Sequence, residues 1–182
     1  MTENELSERC RQGDNVARKE LYELYAGQMM AVCLRYIADR DVAQDVLHDG
    51  FLKIFYSFDK FAYRGEGSLK AWLSRIMVNL SLEYLRKNDI LHQTLTLDEV
   101  PETICETDEE DVERIPRQVL MKFIHELPTG YRTVFNLFTF EGKSHREIAN
   151  ELGINEKSSA SQLFRAKAVL AKKIKDYLNQ EK

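Results

Sequence analysis

Ser144-His-Arg-Glu-Ile-Ala-Asn-Glu-Leu-Gly-Ile-Asn155 is the stretch on which the fold turns. Ser144 with Glu147 three residues on reads as a capping box, in which the two residues satisfy each other's backbone N–H groups. Ile148, Ala149 and Leu152 then share one side of a short helix, and Gly153 supplies the left-handed conformation that ends it. Asn155 is a cap for a last helix running towards Asn179. Two helices, a glycine turn, small Ala149 at the crossing and Ile154 in the corner make a helix-turn-helix.

The last helix separates its faces. At about 100° per residue, Lys157, Ser161, Phe164, Arg165, Lys172 and Lys175 fall within roughly 100° of arc. Leu163, Ala166, Leu170, Ile174 and Tyr177 fall within roughly 80° on the opposite side. One face packs and the other is cationic. In a helix-turn-helix the start of the second helix enters the DNA major groove. There Arg165 has the fork that matches guanine O6 and N7, and Ser161 can bond a base edge or a phosphate. Lys157, Lys172 and Lys175 suit phosphates, which position without specifying. Ser158 and Phe164 complete the tip.

Upstream, Val119, Phe123, Ile124 and Leu127 form one helical stripe, which Pro128 stops before Val134, Leu137 and Phe138 form the next. Before these, residues 98–115 hold nine acidic residues and one basic, a net −8. Residues 116–182 hold 12 basic and seven acidic, so the carboxyl-terminal part is basic although the whole chain stands at −4. Like charges at this density repel and keep a chain extended, so residues 93–115 read as an acidic flexible linker.

The first 90 residues show three further stripes. Leu21, Leu24, Tyr25, Met29, Val32, Cys33, Tyr36 and Ile37 form one, and Asp39-Arg40-Asp41 breaks it with cap candidates. Val42, Val46, Leu47, Phe51, Ile54, Phe55 and Phe58 form the second. After the glycine-containing loop Phe61-Ala-Tyr-Arg-Gly-Glu-Gly-Ser68, Ser68 is a cap for a helix carrying Leu69, Trp72, Leu73, Ile76 and Leu80. The expected fold is all-α: a helical bundle over 1–92, a linker over 93–115, and a helix-turn-helix domain over 116–182.

The 182 residues include 43% hydrophobic and 31% charged residues, with three prolines and eight glycines, which favours long helices over many turns. No apolar run approaches the roughly 18–20 residues of a membrane span. Met-Thr-Glu-Asn-Glu lacks the basic-then-apolar order of a signal peptide, and a cytoplasmic protein is expected. Cys10, Cys33 and Cys105 have no C-x-x-C pairing and read as free thiols. Four scattered histidines, His48, His92, His125 and His145, give no ligand set, and neither metal nor cofactor is expected. His48-Asp49 resembles a dipeptide of some metal phosphohydrolases, an enzyme reading that needs further converging ligands. No glycine-rich phosphate loop or Ser-His-Asp order supports other catalysis, and a non-enzymatic protein is expected.

Two sets of residues together resemble the extracytoplasmic-function sigma factors. Leu127-Pro-Thr-Gly-Tyr-Arg-Thr-Val-Phe135, Glu141-Gly-Lys-Ser-His-Arg-Glu-Ile-Ala149, Leu152-Gly-Ile154 and Ser161-Gln-Leu-Phe-Arg-Ala-Lys167 are similar to their region 4. Asp41-Val-Ala-Gln-Asp-Val-Leu-His-Asp-Gly-Phe51 is similar to region 2.2. Arg64-Gly-Glu-Gly-Ser-Leu-Lys-Ala-Trp-Leu-Ser-Arg-Ile76, with Asn79 and Arg86, is similar to regions 2.3 and 2.4. The resemblance implies that region 2 binds the clamp of core RNA polymerase and reads and melts the promoter −10 element. It implies that region 4 binds the flap and the −35 element, and that the linker passes near the active-site cleft. Many members of the family are also held by an anti-sigma factor.

Local chemistry agrees with that implication. Asp45, His48 and Asp49 present polar and acidic groups for a basic partner, with Phe51 behind them. Arg75, Asn79 and Arg86 lie within about 40° of arc beside the apolar stripe. Asn79 has the donor and acceptor that read a flipped base, and Phe61 and Tyr63, next to Arg64, suit stacking on unpaired bases. Trp72 falls on the buried stripe and reads as core. Two departures from the family pattern stand out: the loop Phe58 to Arg64 is about two residues longer than usual, and Ser159 takes a core-side position where an apolar residue is expected. An ordinary helix-turn-helix regulator accounts for residues 128–178 but leaves the Asn79 face idle. A chain at net −4 is expected to bind promoters poorly by itself and to borrow affinity from polymerase.

Overall fold

Polar caps divide the chain into helices at the places where apolar stripes begin and end. A computed structural model describes residues 1–88 and 107–181, so 89–106 and 182 are left aside, with His92, Cys105 and most of the expected linker among them. Regular structure among the described residues is helical throughout. The chain divides into two units, Met1–Asn88 and Asp89–Lys182.

In the first unit, α1 (Glu3–Arg11), α2 (Asn15–Tyr36), α3 (Arg40–Tyr56) and α4 (Ser68–Lys87) are joined by short connections, with a single 3₁₀ turn at Phe58–Lys60. Asp14 Oδ1 accepts from the N–H groups of Val16 and Ala17, and Asp39 Oδ1 from those of Asp41 and Val42, so each carboxylate starts its helix. α2, α3 and α4 pack on one another around Leu21, Met29, Tyr36, Ile54, Leu73, Met77 and Leu82. Gly50 sits where α3 crosses α4: a methyl group there would overlap Met77 Sδ and Cε. Helix α1 has no counterpart among the sequence stripes. It starts with a complete capping box between Thr2 and Glu5, and it buries Leu6 and Cys10 against its neighbours. The expected cap at Ser68 needs correction. Gly67, at φ +85°, is the cap, and Ser68 is the first helical residue, its hydroxyl donating back to Gly65 O at 2.6 Å.

In the second unit, α5 (Glu109–Glu113), α6 (Arg117–His125), α7 (Thr129–Thr139) and α8 (His145–Leu152) gather on the long α9 (Glu156–Gln180). Ile124, Leu127, Tyr131, Ala166 and Leu170 form one core cluster, and Ile115, Ile174 and Leu178 another. The end of the expected linker is therefore packed. Val112 and Ile115, three residues apart, share the side of α5 and its exit that meets α9, while the carboxylates face away. Arg132 is 3% exposed, and its Nη1 donates to the carbonyls of His125 at 2.7 Å and Leu127 at 3.3 Å. A cation thus closes the end of α6, and burial alone holds the guanidinium below its ordinary range.

Cys10 and Cys33 are free and buried, and burial pushes both thiols up to about 11. At neutral pH they are inert packing. No helix among the described residues is long and apolar enough to cross a membrane. Nor do three His, Cys, Asp or Glu side chains converge on a metal position among those residues, as a hydrolase built on His48-Asp49 needs.

Candidate nucleic-acid interface

The helix-turn-helix forms as its signals require. Ser144 Oγ accepts from Glu147 N–H at 3.2 Å, which is one half of the expected capping box, Gly153 turns the chain at φ +69°, and Asn155 Oδ1 caps α9 by accepting from Ser158 N–H at 2.7 Å. Leu163, Ala166, Leu170 and Ile174 are buried, whereas Lys157, Phe164, Lys172 and Lys175 are exposed. Ser158, Ser161 and Arg165 are half-buried at the margin. Lys157, Ala160, Ser161, Phe164 and Arg165 line a shallow depression of about 430 Å³. Its lining joins the cations Lys157 and Arg165 to an apolar surface to which Phe164, 49% exposed, contributes.

Ser159 has a partner that explains it. The side chain is fully buried, and its hydroxyl lies 2.9 Å from His145 Nδ1 at the start of α8. The His145 ring stacks on Phe138 at 5.0 Å between centroids, and Lys167 Nζ stands 5.8 Å from the centre of the Phe138 ring. A polar stitch replaces an apolar contact at the crossing of α8 and α9, satisfying a hydroxyl that would otherwise be costly to bury.

In the first unit, the loop after the 3₁₀ turn and the start of α4 enclose a depression of about 370 Å³. Its wall carries Lys60, Arg64 and Arg75 with Trp72 and Phe61. Phe61 does not stand out as a stacking surface. It is 4% exposed, with its ring 6.3 Å from Phe58 and 5.1 Å from Trp72, because the loop folds inward onto an aromatic cluster. Tyr63 is the loop aromatic left exposed, beside exposed Arg64. Trp72 is half-buried: it packs on Phe58 and Phe61 and also shapes the wall. Arg75, Asn79 and Arg86 are all exposed along α4, on one face as the spacing predicts.

On α3, Asp45, His48 and Asp49 are exposed, but Phe51 is core, with its ring 4.8 Å from that of Tyr22. Phe51 therefore supports the acidic face from within. The apolar groups that reach solvent beside it are Leu52 and Tyr56, the latter 84% exposed. Helical rotation carries residues 45, 49, 52 and 56 along one strip, a signal present in the sequence but masked by the strong apolar run around it.

Comparison with known families now bears on these two surfaces. The family description "Sigma-70 region 2" matches residues 21–90, and "Sigma-70, region 4" matches residues 117–170. The chain belongs to the sigma-70 family. Helix α1 lies ahead of the region 2 match, and α5 ahead of the region 4 match. This sigma factor is 29% identical to an ECF RNA polymerase sigma-E factor of Haemophilus influenzae, over 96% of each chain. It is 26% identical to an RNA polymerase sigma-H factor of Pseudomonas aeruginosa, over 98% of this chain and 96% of that one. It is also 26% identical to the ECF RNA polymerase sigma-E factor of Escherichia coli K12, over 99% of this chain and 98% of that one. Both match sets follow the order of the two packed units, so this is an alternative sigma factor of the extracytoplasmic-function class, acting with RNA polymerase and promoter DNA in transcription initiation.

Proposed function

We propose that this sigma factor joins core RNA polymerase in the cytoplasm and reads a promoter at two places. The α9 tip would meet the −35 element, and the loop and α4 face would meet the melted −10 element. The observation that carries the reading is that one chain holds two separately packed units, each with a cationic depression that includes an aromatic side chain. At −35, Lys157 and Lys172 suit phosphates, and Arg165, Ser161, Ser158 and Phe164 suit base edges and methyl groups. At −10, Tyr63 offers a stacking face, Arg64, Arg75 and Arg86 offer charge, and Asn79 offers a Watson–Crick partner. The wall of Lys60, Trp72 and Arg75 suits a nucleobase turned out of the stack.

The α3 strip of Asp45, His48, Asp49, Leu52 and Tyr56 suits a basic clamp surface, with Phe51 beneath it. An apolar groove of about 740 Å³ between α5, α6, α7 and α9, lined by Val112, Leu120, Ile124, Phe135, Phe140 and Ile174, suits the flap. An anti-sigma factor would act by covering these surfaces. The sigma factor supplies binding surfaces and leaves the chemistry to polymerase.

Mapping of transcript starts made by core polymerase with and without the purified protein tests this function. New starts sharing upstream and downstream motifs are expected, and starts identical to those of core alone would overturn it. Arg165→Ala is expected to lower discrimination at −35 by roughly 1–3 kcal/mol. The check is competition between −35 variants for the holoenzyme, and unaltered discrimination would remove the base contact. Asn79→Ala is expected to slow promoter opening by about tenfold or more while closed complexes form normally, since the bases it would meet are exposed only on melting. Permanganate footprinting against gel shift separates the stages, and equal loss at both argues for packing instead.

A further inference from the structure

We infer that helix α1 is a brace that fixes the shape of the depression in the first unit, with Arg11 and Glu3 as positioning residues for base reading. The inference rests on the reading of that depression as a nucleobase site. Three bonds from α1 hold the loop at both ends. Arg11 Nε donates to Phe58 O at 3.1 Å, and Arg11 Nη2 donates to Phe61 O at 2.7 Å. Glu3 Oε2 accepts from Gly67 N–H at 2.8 Å, at the cap of α4. Residues 59 to 66 lie between the first and the last of these anchors. Within that span the loop is tied by Ser68, which accepts from Arg64 N–H at 3.2 Å and donates to Gly65 O.

The helix that holds these anchors is itself locked. Leu6 and Cys10 are buried, and Arg9 places both Nε and Nη2 on Asp14 Oδ2, at 2.8 and 2.6 Å, where Asp14 caps α2. Tyr25 Oη donates to Glu3 Oε1 at 3.4 Å, so one carboxylate links α2 with the loop. The anchors divide the work by chemistry. A forked guanidinium can hold two carbonyls that point the same way, which an ammonium cannot. A carboxylate suits the Gly67 N–H, because the start of α4 has no side-chain cap and gathers positive potential there. Both side chains remain partly in solvent, whereas the apolar side of α1 is buried. Their loss should therefore change where the loop backbone lies more than whether the unit folds.

The depression walls make the consequence concrete. Lys60, Phe61, Ala62 and Arg64 come from the anchored segment, while Ser68, Ala71, Trp72 and Arg75 come from α4. A shift of the loop against α4 opens or narrows the cleft between those two groups. Selectivity for a flipped base would then change without loss of any residue that touches it.

The test uses the full-length chain with core polymerase and promoter fragments carrying each base at each melted −10 position. Arg11→Met is expected to lower the preference for the favoured base by about tenfold, one lost charged hydrogen-bond pair by magnitude. Affinity for core polymerase and the thermal midpoint of the free protein should hold. Arg11→Lys should recover part of the preference, and Glu3→Gln should fall between. Trp72, the single tryptophan, stands in the wall, so its emission should shift in Arg11→Met before any DNA is added. Unchanged base preference in Arg11→Met, while Arg64→Ala or Arg75→Ala loses it, would overturn the brace and leave the base site standing. Uniform loss at every base together with a lower thermal midpoint would also overturn it, since α1 would then be plain structure. If Arg64→Ala and Arg75→Ala leave base preference untouched, the base-site reading fails and the positioning role with it.

Discussion

Phe58→Ala is expected to cost the first unit about 3–5 kcal/mol, the range for emptying a large aromatic site. Phe58 is 2% exposed, and its ring lies 5.2 Å from Trp72 and 6.3 Å from Phe61. Alanine leaves a void flanked by two large rings that are tied into a helix and a loop, and neither can collapse to fill it. Phe61 and Trp72 of the same cluster line the depression proposed for the −10 element, so base preference should decline alongside stability. Urea unfolding followed by Trp72 fluorescence is the measurement, and a loss below about 1 kcal/mol would show that the cluster relaxes freely. Phe58→Leu should retain more, because it keeps most of the buried volume.

The second large effect lies in the other unit. Arg132→Met should destabilise it by about 2–4 kcal/mol, because methionine fills the space but donates nothing to the His125 and Leu127 carbonyls. Those carbonyls end α6, where a helix leaves its last acceptors without partners of its own. Burying the guanidinium is itself costly, so a variant that removed both the cation and its acceptors would lose less; the backbone acceptors cannot be removed. Far-UV circular dichroism during urea titration reports both units, and Trp72 fluorescence reports the first alone. The fluorescence transition should stay in place while part of the dichroism transition moves to lower urea. Both transitions unmoved would mean that water replaces the guanidinium at little cost.

Much of the fold is legible because its signals are local. Gly153 and Asn155 specify their turn and cap by backbone chemistry alone, and α9 declares its packed face over seven turns of periodicity. Helix α1 is not legible in the sequence because its buried apolar stripe is only Leu6 and Cys10, one helical turn apart amid polar residues. Val112 and Ile115 were similarly submerged in the acidic run, where composition outweighs two apolar residues. The site residues divide along the same line. Arg75, Asn79 and the α9 lysines Lys157, Lys172 and Lys175 follow from helical rotation and stand exposed as expected. Phe61 and Phe51 do not, since their inward orientation depends on Trp72 and Tyr22, partners distant in sequence. Ser159 is the reverse case: it looked misplaced until His145, fourteen residues earlier, supplied its hydrogen bond.

Helix α9 carries two loads on one beam. It is 25 residues, roughly 37 Å, with Lys157 and Arg165, proposed for the −35 element, towards one end and Ile174 and Leu178 gripping Ile115 at the other. The exit of α5 at Ile115 therefore attaches to the far arm of the same lever whose near arm is proposed to meet DNA. Torque exerted there would be felt as a tilt of the Lys157 end, with the α7 and α8 contacts as fulcrum.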